Sequence, residues 1–117
     1  MTENKKTVQQ YLDGFATGDH EKILACLTDD VFWDMPGFIH SKGKEAFDKE
    51  IENDAFEGLP TITVKQILEE NNIVIAKGSV RSKFKDGRLL NAVFCDVFQM
   101  EKGNIKQLTT YQMNKSI

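Results

Sequence analysis

Apolar residues near the start of the chain recur at helical spacing. Val8, Tyr11, Leu12 and Phe15 fall at i, i+3, i+4 and i+7 and line one face of a helix. Thr17-Gly18-Asp19 breaks the pattern, with Gly18 suited to a helix C-terminus and Asp19 to capping the next start. A short second helix is predicted with Ile23, Leu24 and Leu27 on one face, ended by Thr28-Asp29-Asp30. Val31-Phe32-Trp33-Asp34-Met35 reads as a strand closed by a Pro36-Gly37 turn. Lys44 to Phe56 reads as a third helix with Phe47, Ile51 and Phe56 inward, stopped by Gly58-Leu59-Pro60.

The period then changes. Residues 61–70 are rich in β-branched side chains, and Asn71-Asn72 marks a turn. Residues 73–84 form a second long strand, which Asp86-Gly87 turns back as a hairpin. Residues 89–101 form a third, and Lys102-Gly103-Asn104 leads into a fourth at 105–113. The order α-α-β-α-β-β-β-β, helices first and a long antiparallel meander last, predicts one α+β domain over residues 1–117. A curved sheet with helices on its concave side would have one covered face and room for a cavity.

Alternation along the strands supports that picture. One face of the third long strand carries Ala92, Phe94, Asp96, Phe98 and Met100, apolar except for Asp96. Its other face carries Asn91, Val93, Cys95, Val97 and Gln99. The second long strand has Val74, Ala76, Gly78, Val80, Ser82 and Phe84 on one side and Lys77, Ser79, Arg81 and Lys83 on the other. The second face of the sheet is thus only partly polar, and a homodimer through it is expected.

Composition narrows the classes. The 117 residues are 40% hydrophobic and 28% charged, as in one soluble domain. The net charge of −3 gives no basic footprint for nucleic acid or an anionic membrane. The first ten residues have no apolar signal region, and no run nears the ~18 apolar residues of a membrane helix, so a cytoplasmic location is expected. Cys26 and Cys95 read as buried free thiols. With no CxxC, HxH, HExxH or Gly-rich phosphate loop, neither a metal nor a cofactor is expected.

Four stretches resemble the SnoaL-like branch of the nuclear-transport-factor-2-like superfamily, which includes ketosteroid isomerases and small polyketide cyclases. They are Tyr11 to Asp19 (YLDGFATGD), Leu27 to Gly37 (LTDDVFWDMPG), Lys42 to Phe47 (KGKEAF) and Asp96 to Leu108 (DVFQMEKGNIKQL). The resemblance spans nearly the whole chain. It implies a cone in which three helices close a curved sheet around an apolar pocket, often dimeric through the outer sheet face. It says much less about activity, because such folds host isomerases, cyclases, epoxide hydrolases, dehydratases and non-catalytic binders.

The resemblance also picks out candidates for chemistry. Ketosteroid isomerases use a first-helix tyrosine and a late-strand aspartic acid as donors to an enolate oxygen, and Tyr11 and Asp96 are similar to these. Their base is an aspartate at the end of the first strand, which Asp34 resembles only with one residue inserted before Pro36. The physical logic is general: a carboxyl facing an apolar pocket loses solvation, its pKa rises, and it can stay neutral near pH 7. Each residue also has a structural reading. Tyr11 can be packing, Asp96 a tie between strand and helix, and Asp34 a strand-end cap. His40, after the Pro36-Gly37 turn, is a candidate base or a surface loop residue, and His20 reads as exposed.

Phe15, Trp33, Phe38, Phe47, Phe84, Phe94 and Phe98, with Thr110 and Gln112 on the last strand, are expected to line the pocket for a small apolar or aromatic molecule. Aromatic residues also simply fill small cores. By the family register Leu108, Thr110 and Gln112 point inward, and a buried Gln112 would need partners. The leading expectation is a cofactor-free isomerase- or cyclase-like protein; the alternative is a non-catalytic binding module. An epoxide-hydrolase-like site needs an Asp-Arg-Asp arrangement, and the nearest arginine, Arg81, falls on the outward face.

Overall fold

A computed structural model describes residues 2–115. Helix α1 (Glu3–Thr17) opens where the Thr2 hydroxyl accepts from the Lys5 N–H and closes at Gly18, whose φ of 69° is the left-handed region that suits glycine. Asp19 caps α2 (His20–Ala25) through the Lys22 N–H. Strands β1 (Leu27–Met35) and β2 (Ile39–Lys42) precede α3 (Lys44–Glu50). Strands β3 (Phe56–Glu70), β4 (Ile73–Phe84), β5 (Leu89–Glu101) and β6 (Asn104–Asn114) complete the α+β fold. Asn71 and Asn72 take positive φ at the β3–β4 turn, as a tight hairpin demands. No helix among the described residues is long and apolar enough to cross a membrane.

The six strands form one curved sheet in the order β2-β1-β6-β5-β4-β3. Every pairing is antiparallel except β1 with β6, which is parallel. Helix α1 packs on β3, β4 and β6, and α3 packs on β1 and β2, so the helices cover one face. The alternation holds on β5, where Ala92, Phe94, Asp96, Phe98 and Met100 are all buried. On β4, a Cβ added at Gly78 would lie 1.9 Å from the Thr63 carbonyl oxygen, so only glycine permits that approach of β3. Beside it the β3–β4 register shifts between Val64 and Gln66, and such irregularities bend a strand.

Three boundaries differ from expectation. Helix α2 stops at Ala25, and Leu27 to Asp30 belong to β1. The cause is tertiary: Ile105 donates its N–H to the Cys26 carbonyl, and Leu27 pairs with Ile105. Residues 39–42 form a strand on β1 that is too short to show alternation. Helix α3 ends at Glu50, and Phe56 opens β3 instead, stacked on Phe84 with centroids 4.5 Å apart. Gly58-Leu59-Pro60 therefore lies within β3, where the register slips between Glu57 and Thr61. An edge strand tolerates that proline because no neighbour needs its N–H. Both cysteines are free, but Cys95 is only half-buried.

His20 is also less exposed than expected, because it ties α2 to α3. Its Nδ1 lies 2.5 Å from Asp48 Oδ1 and its Nε2 lies 2.7 Å from Glu52 Oε1. Only the imidazolium can donate to both. The hydrogen bonds to Asp48 and then Glu52 raise the His20 pKa. The tie therefore contributes fully below the unfolded value of about 6.5 and is lost as pH rises through the higher folded value. His20→Gln is expected to lower the thermal midpoint below about pH 6 and to converge on the wild type at alkaline pH. Thermal melts of both proteins across that range check this.

Candidate functional site

Five elements bring side chains to one interior point. Tyr11 comes from α1, Trp33 from β1, Phe47 from α3, Asp96 and Phe98 from β5, and Thr110 from β6. Each faces inward because its strand or helix alternation puts the apolar positions there. Trp33 stacks on Phe47 at 4.6 Å between centroids. The Tyr11 ring meets Phe15 at 5.1 Å, Phe98 edge-on at 5.4 Å and Phe47 at 6.1 Å. All these rings are buried except Phe15, which is half-buried, so the interior is filled by the chain's own aromatics.

Asp96 is the charged residue of this interior and is only 7% exposed. It pairs with Thr110 on β6 and Ala76 on β4. Its Oδ1 is buried with no hydrogen-bond partner, and the Thr110 hydroxyl is its cross-strand neighbour on β6. Trp33 Nε1–H in turn donates to Thr110 Oγ1 at 3.0 Å. Desolvation lifts the Asp96 pKa to about 7, against the opposing pull of the Thr110 hydrogen bond. Burial, then the charge on Asp96, then Cys26, push the Tyr11 hydroxyl well above its ordinary value. Near neutral pH Tyr11 is therefore a neutral phenol, and Asp96 is able to take or give a proton.

Asp34 and His40 do not join this group. Trp33 pairs with Ser41 and Leu108, both buried, whereas Asp34 pairs with His40 and Thr109 on the opposite face of β1. His40 Nδ1 lies 2.6 Å from Asp34 Oδ1, close enough for an ion pair but without the angle of a hydrogen bond. His40 sits on β2, not in a loop, with 63% of its side chain exposed.

The expected lining divides similarly. Phe94 and Thr110 are buried. Phe38 is 80% exposed beyond the Pro36-Gly37 turn, and Gln112 is exposed because the helices no longer cover β6 past Thr110. Phe84 lies about 26 Å of strand from Ala76, the neighbour of Asp96, where it stacks on Phe56 beneath Arg88. Arg81 is exposed on the outer face. Ser41, which sequence reasoning missed with its short strand, is buried with no partner for its hydroxyl. Two open grooves lie elsewhere, one of about 450 Å³ between α1 and β3 and one of about 460 Å³ between β2 and α3; Asp96 lines neither. Among the described residues no His, Cys, Asp and Glu group is placed to hold a metal ion.

Residues 8–108 match the profile of the SnoaL-like domain. No curated protein matches the chain. Solved structures do, at low identity. An LEH-like epoxide hydrolase of M. tuberculosis superposes with a TM-score of 0.82 and 17% identity, covering 95% of this chain and 83% of that one. TerC, co-crystallised with polyporic acid, gives 0.84 and 17%, with 97% and 92% covered. An NTF2-like protein of unknown function from Burkholderia pseudomallei gives 0.83 and 21%, with 98% and 92% covered. At these identities the likeness shows the cone fold alone.

The Asp96 carboxyl also makes a stability prediction. Between about pH 4 and pH 7 the native state holds a proton that the unfolded chain has released, so stability falls as pH rises through that window. The fall is on the order of 4 kcal/mol over three pH units. Asp96→Asn cannot ionise. It is expected to match or trail the wild type near pH 4 and to exceed it by a few kcal/mol near pH 8, read by urea unfolding. A stability difference that does not change with pH would mean that Asp96 is not desolvated.

Proposed function

Because the chain belongs to the SnoaL-like domain family, we propose that it is a cofactor-independent acid–base protein of the isomerase or cyclase kind, acting on a small apolar or aromatic molecule. The observation that carries this reading is the Asp96 carboxyl, buried among aromatic rings with Oδ1 unpartnered. In this reading Asp96 takes a proton from carbon beside a carbonyl. The electron pair moves onto the carbonyl oxygen, and the Tyr11 O–H donates to that oxygen as charge builds. Asp96 then returns the proton at a second carbon, so the net change is an isomerisation; in a ring closure the enolate carbon instead bonds to a second carbonyl carbon of the same molecule, whose electron pair moves to its oxygen, and Asp96 returns the proton there.

Asp34, paired with His40 across the sheet, plays no part in this scheme. Ketosteroid isomerases divide base and donor between two aspartates; in this scheme Asp96 takes and returns the proton and Tyr11 is the donor. A pKa of about 7 suits that exchange better than the value above about 9 of a permanently neutral donor. Entry of a ligand requires Phe47 on α3 to lift from Trp33. The packed interior also favours a second reading, a binding module without turnover. Exposed Leu68, Val93, Tyr111 and Met113 support a homodimer through the outer sheet face, with the free thiols in keeping with a cytoplasmic setting.

The probe for binding is 2-naphthol, a planar phenol that imitates an enolate. Tyr11→Phe is expected to weaken its binding ~10-fold or more, as loss of a hydrogen bond to a charged oxygen does, and Asp34→Asn to leave it unchanged. Unaltered affinity in Tyr11→Phe would remove Tyr11 from the site. Proton exchange on a cyclic enone in D₂O, followed by NMR, separates the readings. Turnover abolished by Asp96→Asn supports the enzyme, and binding without exchange in the wild type supports the module. Sedimentation velocity tests the dimer, which Val93→Glu is expected to convert to monomer.

A further inference from the structure

The hydrogen bond between Trp33 and Thr110 has only one possible direction. An indole N–H donates and never accepts, so Thr110 Oγ1 is the acceptor at 3.0 Å. That bond occupies the side of the hydroxyl facing β1. The single hydroxyl proton is left to point elsewhere, and Asp96 is the residue directly opposite on β5. All three side chains are at least nine-tenths buried, so water does not compete for these positions. The Trp33 ring is itself held by its stack on Phe47 and by the Phe15 edge at 6.0 Å.

We propose that Trp33 and Thr110 are positioning residues for Asp96, a one-way relay that keeps one carboxyl oxygen accepting and leaves Oδ1 as the oxygen that exchanges the proton. The relay rests on the reading of Asp96 as the acid–base group. With the Trp33 N–H on one lone pair of Thr110 Oγ1, the hydroxyl proton is turned away from β1 and towards the Asp96 carboxyl. A donor held in that direction favours the carboxylate over the neutral acid. Burial pushes Asp96 up, and the relay pulls it back towards neutrality. Unopposed burial would leave Asp96 locked as a neutral donor; with the relay it stays able to act as a base.

The test is the pH titration of the Asp96 carboxyl carbon by NMR, assigned by its loss in Asp96→Asn. Thr110→Val keeps the shape and removes the hydroxyl, so the Asp96 midpoint is expected to rise by about one pH unit or more. Thr110→Ser is expected to restore it. Trp33→Phe removes the N–H that orients the Thr110 hydroxyl, so its proton is no longer held towards the carboxyl and the midpoint is expected to rise in that variant too. Should Thr110→Val not fold, Trp33→Phe and Thr110→Ser decide the matter. A purely structural role would lower stability and leave the midpoint in place, and an unmoved midpoint in Thr110→Val or in Trp33→Phe overturns the relay. A wild-type midpoint near the ordinary value of about 4 would instead overturn the reading of Asp96 itself.

Discussion

Coverage of one face of β5 by the helices is the constraint on which the rest of the structure depends. That strand lies between β6 and β4, and its core face runs Ala92, Phe94, Asp96, Phe98, Met100 without an exposed member. Five apolar residues there would form an ordinary core. One carboxyl among four apolar neighbours turns the same packing into an electrostatic device, because every ring that excludes water from the core also withholds solvation from Asp96. Packing and chemistry are therefore not separate layers in this domain. The dryness that stabilises the cone is also what tunes its acid.

Much of this was legible in the chain, and the reasons are specific. The α1 stripe of Val8, Tyr11 and Leu12 and the alternation of β5 are long patterns with one period each, and both hold in the structure. The Asn71-Asn72 and Asp86-Gly87 turns carry their own backbone chemistry and fall where expected. Local signals failed where a distant strand decided the outcome. Leu27 continues the apolar face of α2 in sequence, yet pairing with Ile105 draws it into β1. Gly58-Leu59-Pro60 looks like a stop, but at a sheet edge it is only a register slip.

The site was legible only in part, for a related reason. Tyr11, Trp33, Phe47, Asp96, Phe98 and Thr110, expected to point inward, are all buried. Asp34 shows how the two can part. The resemblance needs an inserted residue to bring it inward, whereas simple alternation from buried Trp33 sends it to the other face beside His40. Gln112 and Phe38 are exposed because coverage by the helices runs out, a property of three-dimensional extent that no periodicity carries.

Trp33 is the chain's only tryptophan. Its ring stacks on the aromatic residue of α3, and its N–H is bonded to the hydroxyl that lies across the strand from Asp96. One chromophore thus touches both the ring that α3 packs into the interior and the hydroxyl beside its acid. Its emission is an optical reporter built into the native chain: movement of α3 alters the quenching environment of the indole face, and ionisation of Asp96 alters the polarity felt at its edge. Events inside the cone can be followed in unmodified protein, without a label and before any substrate is known.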